Sequence, residues 1–324
     1  MSISLKFAIT TFIVLAMRFS CVPVWGQAPV TALAFAPDET RVAAASQSGI
    51  AIRNWPELQA ITSLNVDISN IHDLAFSPDG RHLLVAGGTP SEHGELCVVS
   101  WPTLEVLAKS VAHQDSIHSA AWLSNSRFVT VAVDNEFIVW QFDGRVAKKV
   151  VEFAGHSRSV LCVEPLREND LFVTAGIDQM LRVWPADMTN KKPPQPIRHL
   201  DNHTGAVCDL ALRPGQQPLP MLASASVDKT VRLWQPTIGR MVKFSRLPVE
   251  PTCLDWTRDG SLLATGCADG KLRIINPDTV QIVQTLPGID GWIHSVAAAT
   301  DGSFVVGGTA GQVTRVSIRS DPSP

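Results

Sequence analysis

The chain has 324 residues, of which 45% are hydrophobic and 18% charged, and its formal net charge is −3. A chain of this length can bury a large core without disulfides. The slightly acidic balance argues against a nucleic acid partner, because phosphate binding needs a basic stripe and Lys148–Lys149 and Lys191–Lys192 are isolated pairs. No segment has the sustained periodicity of an amphipathic helix, so strands are expected throughout.

Residues 1–26 have the proportions of a secretory signal peptide. One positive charge in Met1–Lys6 precedes the apolar run Phe7–Met17, which is shorter than the roughly 20 residues that a membrane span needs. The best cleavage site follows Val24–Trp25–Gly26, and Cys21 raises the alternative of a lipid anchor. We therefore expect an exported protein, periplasmic or secreted. If the segment is not cleaved, a cytoplasmic or membrane-tethered protein is expected instead.

The fourteen-residue stretch Met221–Trp234 has two close copies earlier in the chain. It predicts two short strands joined by a turn at Val227–Asp228–Lys229. Each copy has Ser or Thr four residues before an Asp, Trp six residues after it, and a His upstream. The three sets are His113, Thr130, Asp134 and Trp140; His156, Thr174, Asp178 and Trp184; and His203, Ser224, Asp228 and Trp234.

The spacing of these residues predicts a buried chain of hydrogen bonds within each unit. The Trp indole donates, the hydroxyl relays, and the Asp accepts from the His. Each bond contributes about 1 kcal/mol, whereas an orphaned buried partner costs roughly 1–3 kcal/mol. The network is therefore expected to fix the shape of a unit and is not interpreted as a catalytic triad.

This combination of residues resembles the WD-repeat β-propeller family. The phrase Ala75–Phe76–Ser77–Pro78–Asp79–Gly80 is similar to the family's first-strand ending. The resemblance implies an all-β fold, a single seven-bladed β-propeller of four-stranded antiparallel blades over residues 27–320, with six or eight blades as lesser alternatives. Seven apparent first strands, spaced 41–47 residues apart, open at Val30, Ile71, Ile117, Val160, Val207, Pro251 and Ile293.

The signature is incomplete outside the third, fourth and fifth units. The sixth keeps Thr265 and Asp269 but lacks the His and the Trp, and the seventh has Ala310 in the Asp position. In the first and second units Trp55 and Trp101 are displaced from the expected place. Only three blades are therefore expected to contain the whole network.

Closure of the ring conflicts with removal of the signal peptide. In propellers the first strand commonly completes the last blade, which leaves no exposed sheet edge. Val22–Trp25 is the obvious candidate for that strand. Either this segment is retained as a strand from about residue 22, or the ring closes in another way.

The sequence predicts no enzyme. It contains no Gly-x-Ser-x-Gly elbow, no His-Glu-x-x-His motif and no phosphate-binding glycine loop. No Cys-x-x-Cys pair is present, so a zinc site is not expected, and the cysteines are interpreted as small buried apolar residues. We predict no catalytic residue, no cofactor and no metal ligand.

Three histidines form the one constellation with functional potential. His72, His118 and His294 each follow the opening residue of a first strand by one position. In WD-repeat propellers this position, and the one before the opening residue, tend to face the upper surface near the central channel. The candidate protein-binding residues are therefore these histidines together with Asn70, Ser116, Glu250 and Trp292. A three-histidine metal site and simple solvation at the channel mouth are the alternatives.

The leading hypothesis is a non-enzymatic, exported scaffold that binds a protein or peptide. No nucleic acid and no membrane insertion of the propeller are expected, and the propeller is expected to be a monomer within a complex. The rivals are an exported propeller hydrolase with a channel-bound cation and a purely structural subunit of a larger assembly.

Overall fold

The computed structural model describes residues 28–189, 193–215 and 219–318, which form seven antiparallel sheets arranged as a propeller. All seven first strands begin at the residues that the repeat spacing predicts. The prediction of an all-β fold with seven antiparallel blades arranged as a propeller is therefore confirmed. Among the described residues no helix is long and apolar enough to cross a bilayer, and the 3₁₀ turns are Arg167–Asn169, Pro236–Ile238 and Thr309–Gly311.

Each blade is a meander in which consecutive strands pair. Blades 1 and 2 contain β1 (Val30–Phe35), β2 (Arg41–Ser46), β3 (Gly49–Asn54), β4 (Ala60–Leu64), β5 (Ile71–Phe76), β6 (His82–Thr89), β7 (His93–Ser100) and β8 (Val106–His113). Blades 3 and 4 contain β9 (Ile117–Ser124), β10 (Arg127–Ala132), β11 (Glu136–Phe142), β12 (Ala147–Ala154), β13 (Val160–Leu166), β14 (Leu171–Gly176), β15 (Leu181–Pro185) and β16 (Arg198–Leu200). Blades 5 to 7 contain β17 (Val207–Leu212), β18 (Leu222–Ser226), β19 (Thr230–Gln235), β20 (Arg240–Arg246), β21 (Pro251–Trp256), β22 (Leu263–Cys267), β23 (Lys271–Ile275), β24 (Ile282–Pro287), β25 (Ile293–Ala298), β26 (Ser303–Gly308) and β27 (Val313–Ser317).

The seventh blade differs from the expected four strands. Within the described residues its sheet has three strands, β25, β26 and β27. The predicted closing strand at Val22–Trp25 and the predicted signal peptide lie outside the described residues.

The hydrophobic core is divided into clusters that lie between neighbouring blades. One cluster joins Ile50 and Ile52 of blade 1 to Leu83 and Val85 of blade 2, and the same arrangement continues around the ring. The last cluster joins blade 7 to blade 1, where Val305 packs with residues of β1. The inner part of the ring is therefore closed by packing between the first and seventh blades.

Hydrogen bonds between first strands reinforce this packing around the channel. Asp73 of blade 2 accepts from the Ser119 hydroxyl and the Ala120 amide of blade 3, both at 2.9 Å. At the junction of blades 7 and 1, the Leu33 amide donates to the Ser295 hydroxyl at 3.0 Å. Short polar side chains on the inner strands thus satisfy backbone amides of the neighbouring blade.

Replacement of Ser295 tests the contribution of the closing contact. Ser295→Ala leaves the Leu33 amide without its acceptor, and we expect a loss of about 1–3 kcal/mol in the free energy of unfolding, measured by urea titration. Ser157→Ala, at an exposed position, is the control and should change stability by less than about 0.5 kcal/mol. Equal midpoints for the two variants would contradict this account of ring closure.

Candidate functional site

The three complete signatures form the same hydrogen-bond chain in blades 3, 4 and 5. The Trp indole nitrogen lies 2.8–2.9 Å from the Thr or Ser hydroxyl, and the hydroxyl lies 2.7–2.9 Å from Nε2 of the His. Nδ1 of the His lies 2.8–3.0 Å from the Asp carboxylate. The side chains of His113, His156 and His203 are fully buried. The histidines at the centre of the network are therefore shielded from solvent.

The direction of each bond follows from the chemistry of a neutral imidazole. In each blade the Trp N–H donates to the hydroxyl, the hydroxyl donates to Nε2, and Nδ1–H donates to the carboxylate. Burial lowers the pKa of His156 and His203. Burial alone would raise the pKa of Asp228, but hydrogen bonds from Thr230, His203 and the Thr204 amide outweigh it and bring the pKa to about 2.

An arginine adds a second partner for the Asp in some blades but not in all. Arg182 contacts Asp178 at 2.7 Å, and Arg273 makes two bonds of 2.7 and 2.9 Å to Asp269 in blade 6, which lacks the His and the Trp. Blade 3 has Ile138 at the equivalent position. The incomplete sixth signature therefore retains its Asp through a different partner.

In the first two blades the displaced tryptophans pack against a phenylalanine of the first strand. Trp55 packs edge-on against Phe35, with ring centroids 5.0 Å apart, and Trp101 packs in the same way against Phe76 at 5.1 Å. Both contacts join the end of a third strand to the end of a first strand. In these blades aromatic packing takes the place of the polar chain.

The contrast between blades 3 and 4 gives a matched stability test. Asp178→Ala leaves Arg182 largely buried without its carboxylate, for which we expect a loss of about 3–5 kcal/mol. Asp134→Ala removes a carboxylate that has no arginine partner, so the expected loss is about 1–3 kcal/mol. Urea unfolding of both variants measures the difference. A larger loss for Asp134→Ala would contradict this interpretation of the network.

A β-bulge in every first strand builds the mouth of the central channel. The register of each first strand shifts at the residue after its opening position, for example between Ile71 and Asp73. A bulge leaves one residue unpaired and redirects its side chain. The seven bulged residues, called here the rim residues, all line one channel of about 660 Å³: Thr31, His72, His118, Leu161, Cys208, Thr252 and His294.

The sequence identified three of these seven rim residues. Thr31, Leu161, Cys208 and Thr252 were missed, although they occupy the same position of the repeat and could have been found by alignment of the seven openings. The hydroxyls of Thr31 and Thr252 each donate to the opening carbonyl of the next blade at 2.5 Å. The two threonines therefore hold neighbouring blades together.

The rim histidines occupy two separate places. His72 and His118 stack with ring centroids 4.7 Å apart and planes within 9°, whereas His294 faces Trp292 at 6.4 Å. Burial lowers the pKa of His72 to about 4, with a further contribution from His118, and burial also lowers the pKa of His118 and His294. All three side chains are therefore neutral at neutral pH, and the three imidazoles do not converge on one point.

The four flanking candidates differ strongly in exposure. Trp292 is 57% exposed, whereas Ser116 is only 2% exposed, so the expectation of a surface position was wrong for Ser116. Asn70 bonds to Gln47 at 2.8 Å, and Glu250 lies 3.6 Å from Lys229. Trp292 is thus the most exposed of the candidate side chains.

The channel wall contains carboxylates that sequence reasoning overlooked. Asp73, Glu164 and Asp209 line the channel below the rim residues, together with Arg167. Burial raises the pKa of Glu164 to about 8 and that of Asp209 to about 7. The signal for them in the sequence is weak, because an acidic residue inside a strand does not by itself indicate which face of the sheet it occupies.

The described residues offer little for metal or nucleophilic chemistry. Among them, the group of three ligand-type side chains whose ligand atoms lie within 4.8 Å of one another is His113, Asp134 and Glu136. Two of these belong to the blade 3 network, where Asp134 accepts from His113. Burial raises the pKa of Cys208 to about 11, so this channel-facing thiol is protonated and a poor nucleophile.

The raised pKa of Glu164 predicts a pH-dependent stability. A carboxyl group whose folded-state pKa is about 8, above its ordinary 4.5, stabilises the fold below pH 4.5 and loses that contribution as the pH rises to 8. Glu164→Gln should remove this loss. The urea midpoint of the variant relative to that of the wild type should therefore increase as the pH is raised from 4.5 to 8. Glu152→Gln, at an exposed outer-strand position, should show no such gain. Parallel pH profiles for all three proteins would contradict the assignment.

Comparison with known families gives matches in the centre of the chain. The model of the WD domain, G-beta repeat, matches residues 147–185 and 194–235, and the model of the anaphase-promoting complex subunit 4 WD40 domain matches residues 220–297. The matched segments cover the last strand of blade 3, blades 4, 5 and 6 and the start of blade 7.

Similar proteins match over most of this chain at low identity. Telomerase protein component 1 of Mus musculus is 24% identical over 89% of this chain and 11% of its own length. Protein FIZZY-RELATED 3 of Arabidopsis thaliana is 24% identical over 69% of this chain and 46% of its own. Cell division cycle 20.1, cofactor of APC complex, of the same plant is 24% identical over 90% and 61%. The chain spans less than two thirds of each of these relatives.

The prediction of an exported, periplasmic or secreted protein is wrong. The relatives that the chain matches are intracellular proteins of eukaryotes, named as components of telomerase and as a cofactor of the APC complex. An apolar N-terminal run with one preceding charge is a weak signal, because composition alone does not distinguish a leader from a buried strand.

Proposed function

This chain belongs to the WD-repeat β-propeller family, and we propose that it is a non-enzymatic scaffold that binds a protein or peptide at the mouth of its central channel. The proposed propeller domain comprises residues 27–320. The observation that carries the proposal is Trp292, a large aromatic side chain that is 57% exposed at the edge of the channel beside His294. Aromatic residues of this kind are enriched among the residues that dominate binding energies.

The arrangement of the rim supports binding at this end of the channel. The rim residues come from all seven blades, so a ligand on the channel axis can contact many blades at once. The bulges that expose them are positions where the repeat tolerates different side chains, since their side chains leave the ladder. Thr31 and Thr252 bind the neighbouring blade, which leaves the histidines as the polar rim residues available to a partner.

Two observations argue against the hydrolase alternative. The carboxylates of Asp73 and Asp209 accept hydrogen bonds from backbone amides of the next blade, so both stabilise the contact between blades. The rim histidines lie in two separate places, and a catalytic cation needs its ligands within about 2–2.5 Å of one point. A purely structural subunit remains the second proposal, and it is distinguished by the experiment below.

Capture of partners tests the proposed surface. The wild-type chain and Trp292→Ala/His294→Ala are used as bait in extract from the cells that make the protein. We expect the double variant to recover its specific partners at least about tenfold less well, because it loses an exposed anchor of the interface. Phe244→Ala, an exposed aromatic residue on the outer strand of blade 5, is the matched control. Equal recovery by all three baits would exclude the channel mouth as the binding surface.

A further inference from the structure

The channel mouth has two unlike sides. Blades 2 and 3 contribute His72 and His118, whose rings stack on each other. Blades 4, 5 and 7 contribute three side chains of apolar character, called here the apolar arc: Leu161, Cys208 and Trp292. A protonated cysteine behaves as a small hydrophobic residue. None of these three side chains belongs to a core cluster between blades, so their apolar surface is free to contact a ligand.

The polar rim residue of blade 6 lies within this arc and is already bound. The Thr252 hydroxyl donates to the carbonyl of Ile293, the neighbour of Trp292 in the chain, at 2.5 Å. Burial raises the pKa of Cys208 to about 11, so its thiol keeps its proton and is only a weak hydrogen-bond donor. This side of the mouth therefore offers a partner apolar contact more than hydrogen bonds.

The backbone of Trp292 is fixed although its side chain is exposed. Its amide donates to the Thr309 hydroxyl at 3.0 Å, and its carbonyl accepts from the Thr309 amide at 3.1 Å. Gly308 packs directly against the same carbonyl, since a Cβ atom at that glycine would overlap it. Because the side chain is more than half exposed, a ligand that covers the ring removes a large apolar area from water. The fixed backbone lowers the ordering cost of this contact.

The channel below the mouth carries little charge at neutral pH. Burial raises the pKa of Glu164 to about 8 and that of Asp209 to about 7, and it also raises the pKa of Asp73. These carboxyl groups are therefore largely protonated. Arg167 follows the last residue of β13 at the opposite end, where its Nε donates to the Trp122 carbonyl at 2.9 Å. A charged side chain that entered the mouth would lose its water without gaining an opposite charge, which is costly.

We infer that the channel mouth takes a large apolar side chain, such as leucine, methionine or phenylalanine, from the partner peptide. This side chain enters beside the Trp292 ring, and the apolar arc removes its surface from water. The channel volume of about 660 Å³ is within the range of ligand pockets. The inference rests on the proposed function and adds the chemical class of the ligand.

A peptide array tests the inference with the full chain. Heptapeptides of mixed sequence have their central position fixed as each amino acid in turn and are probed with labelled protein at neutral pH and about 0.15 M salt, which screens exposed charges. We expect peptides with a central leucine, methionine or phenylalanine to bind at least about threefold more strongly than those with a central alanine. Peptides with a central aspartate, glutamate, lysine or arginine should bind no more strongly than the alanine peptides.

Variants of the apolar arc locate the contact. Trp292→Gln should abolish the preference for apolar residues, whereas Trp292→Phe keeps an aromatic ring and should retain it. Leu161→Asn is a nearly isosteric change inside the channel and should at least halve the preference. Val227→Thr is the matched control, at an exposed valine that does not line the channel, and should leave the preference unchanged. Thermal melting checks that each variant is folded, and the exposed position of Trp292 keeps the test valid if Leu161→Asn does not fold.

Each other outcome would overturn the inference. Enrichment of charged residues at the central position, with partner capture still lost in Trp292→Ala/His294→Ala, would do so and leave the proposed function standing. An apolar preference that survives Trp292→Gln, or survives Leu161→Asn in folded protein, would place the contact outside the apolar arc. Equal binding of all peptides, or binding of none, would also overturn the inference, while the capture experiment decides the proposed function separately.

Discussion

The packing of each blade against the next is the constraint on which the rest of the structure depends. A single blade has two apolar faces and cannot bury either of them alone, so each cluster of the core is shared between two blades. The series ends only when the last blade meets the first, as Val305 does with the residues of β1. Closure of the ring therefore determines where every first strand lies and creates the channel between them.

The hydrogen-bond chain of blades 3, 4 and 5 is a second device for the same purpose. It joins the His to the hydroxyl of the second strand, to the turn that contains the Asp and to the Trp of the third strand, and it satisfies these four polar side chains together. Blade 6 shows that one partner can be exchanged, since Arg273 holds Asp269 without a His. The blades therefore share a shape that different side chains maintain at comparable positions.

The proposed binding surface consists of residues that do not take part in the packing between blades. A bulge in each first strand moves one side chain out of the ladder and into the channel mouth. Thr31 and Thr252 use that freedom to bind the neighbouring blade, whereas His72, His118 and His294 do not. Equivalent positions of the repeat thus hold some side chains that bind the neighbouring blade and others that do not.

The sequence by itself determined the fold, the number of blades and the start of every first strand, because the repeat spacing and the His, Ser or Thr, Asp and Trp positions are local patterns. It also placed His72, His118 and His294 near the channel. Only the tertiary structure decided that Ser116 is buried, that His72 stacks on His118, and that burial, with a contribution from Asp209 of the neighbouring blade, raises the pKa of Glu164. The last two depend on packing between neighbouring blades, which brings together residues more than 40 positions apart in the sequence.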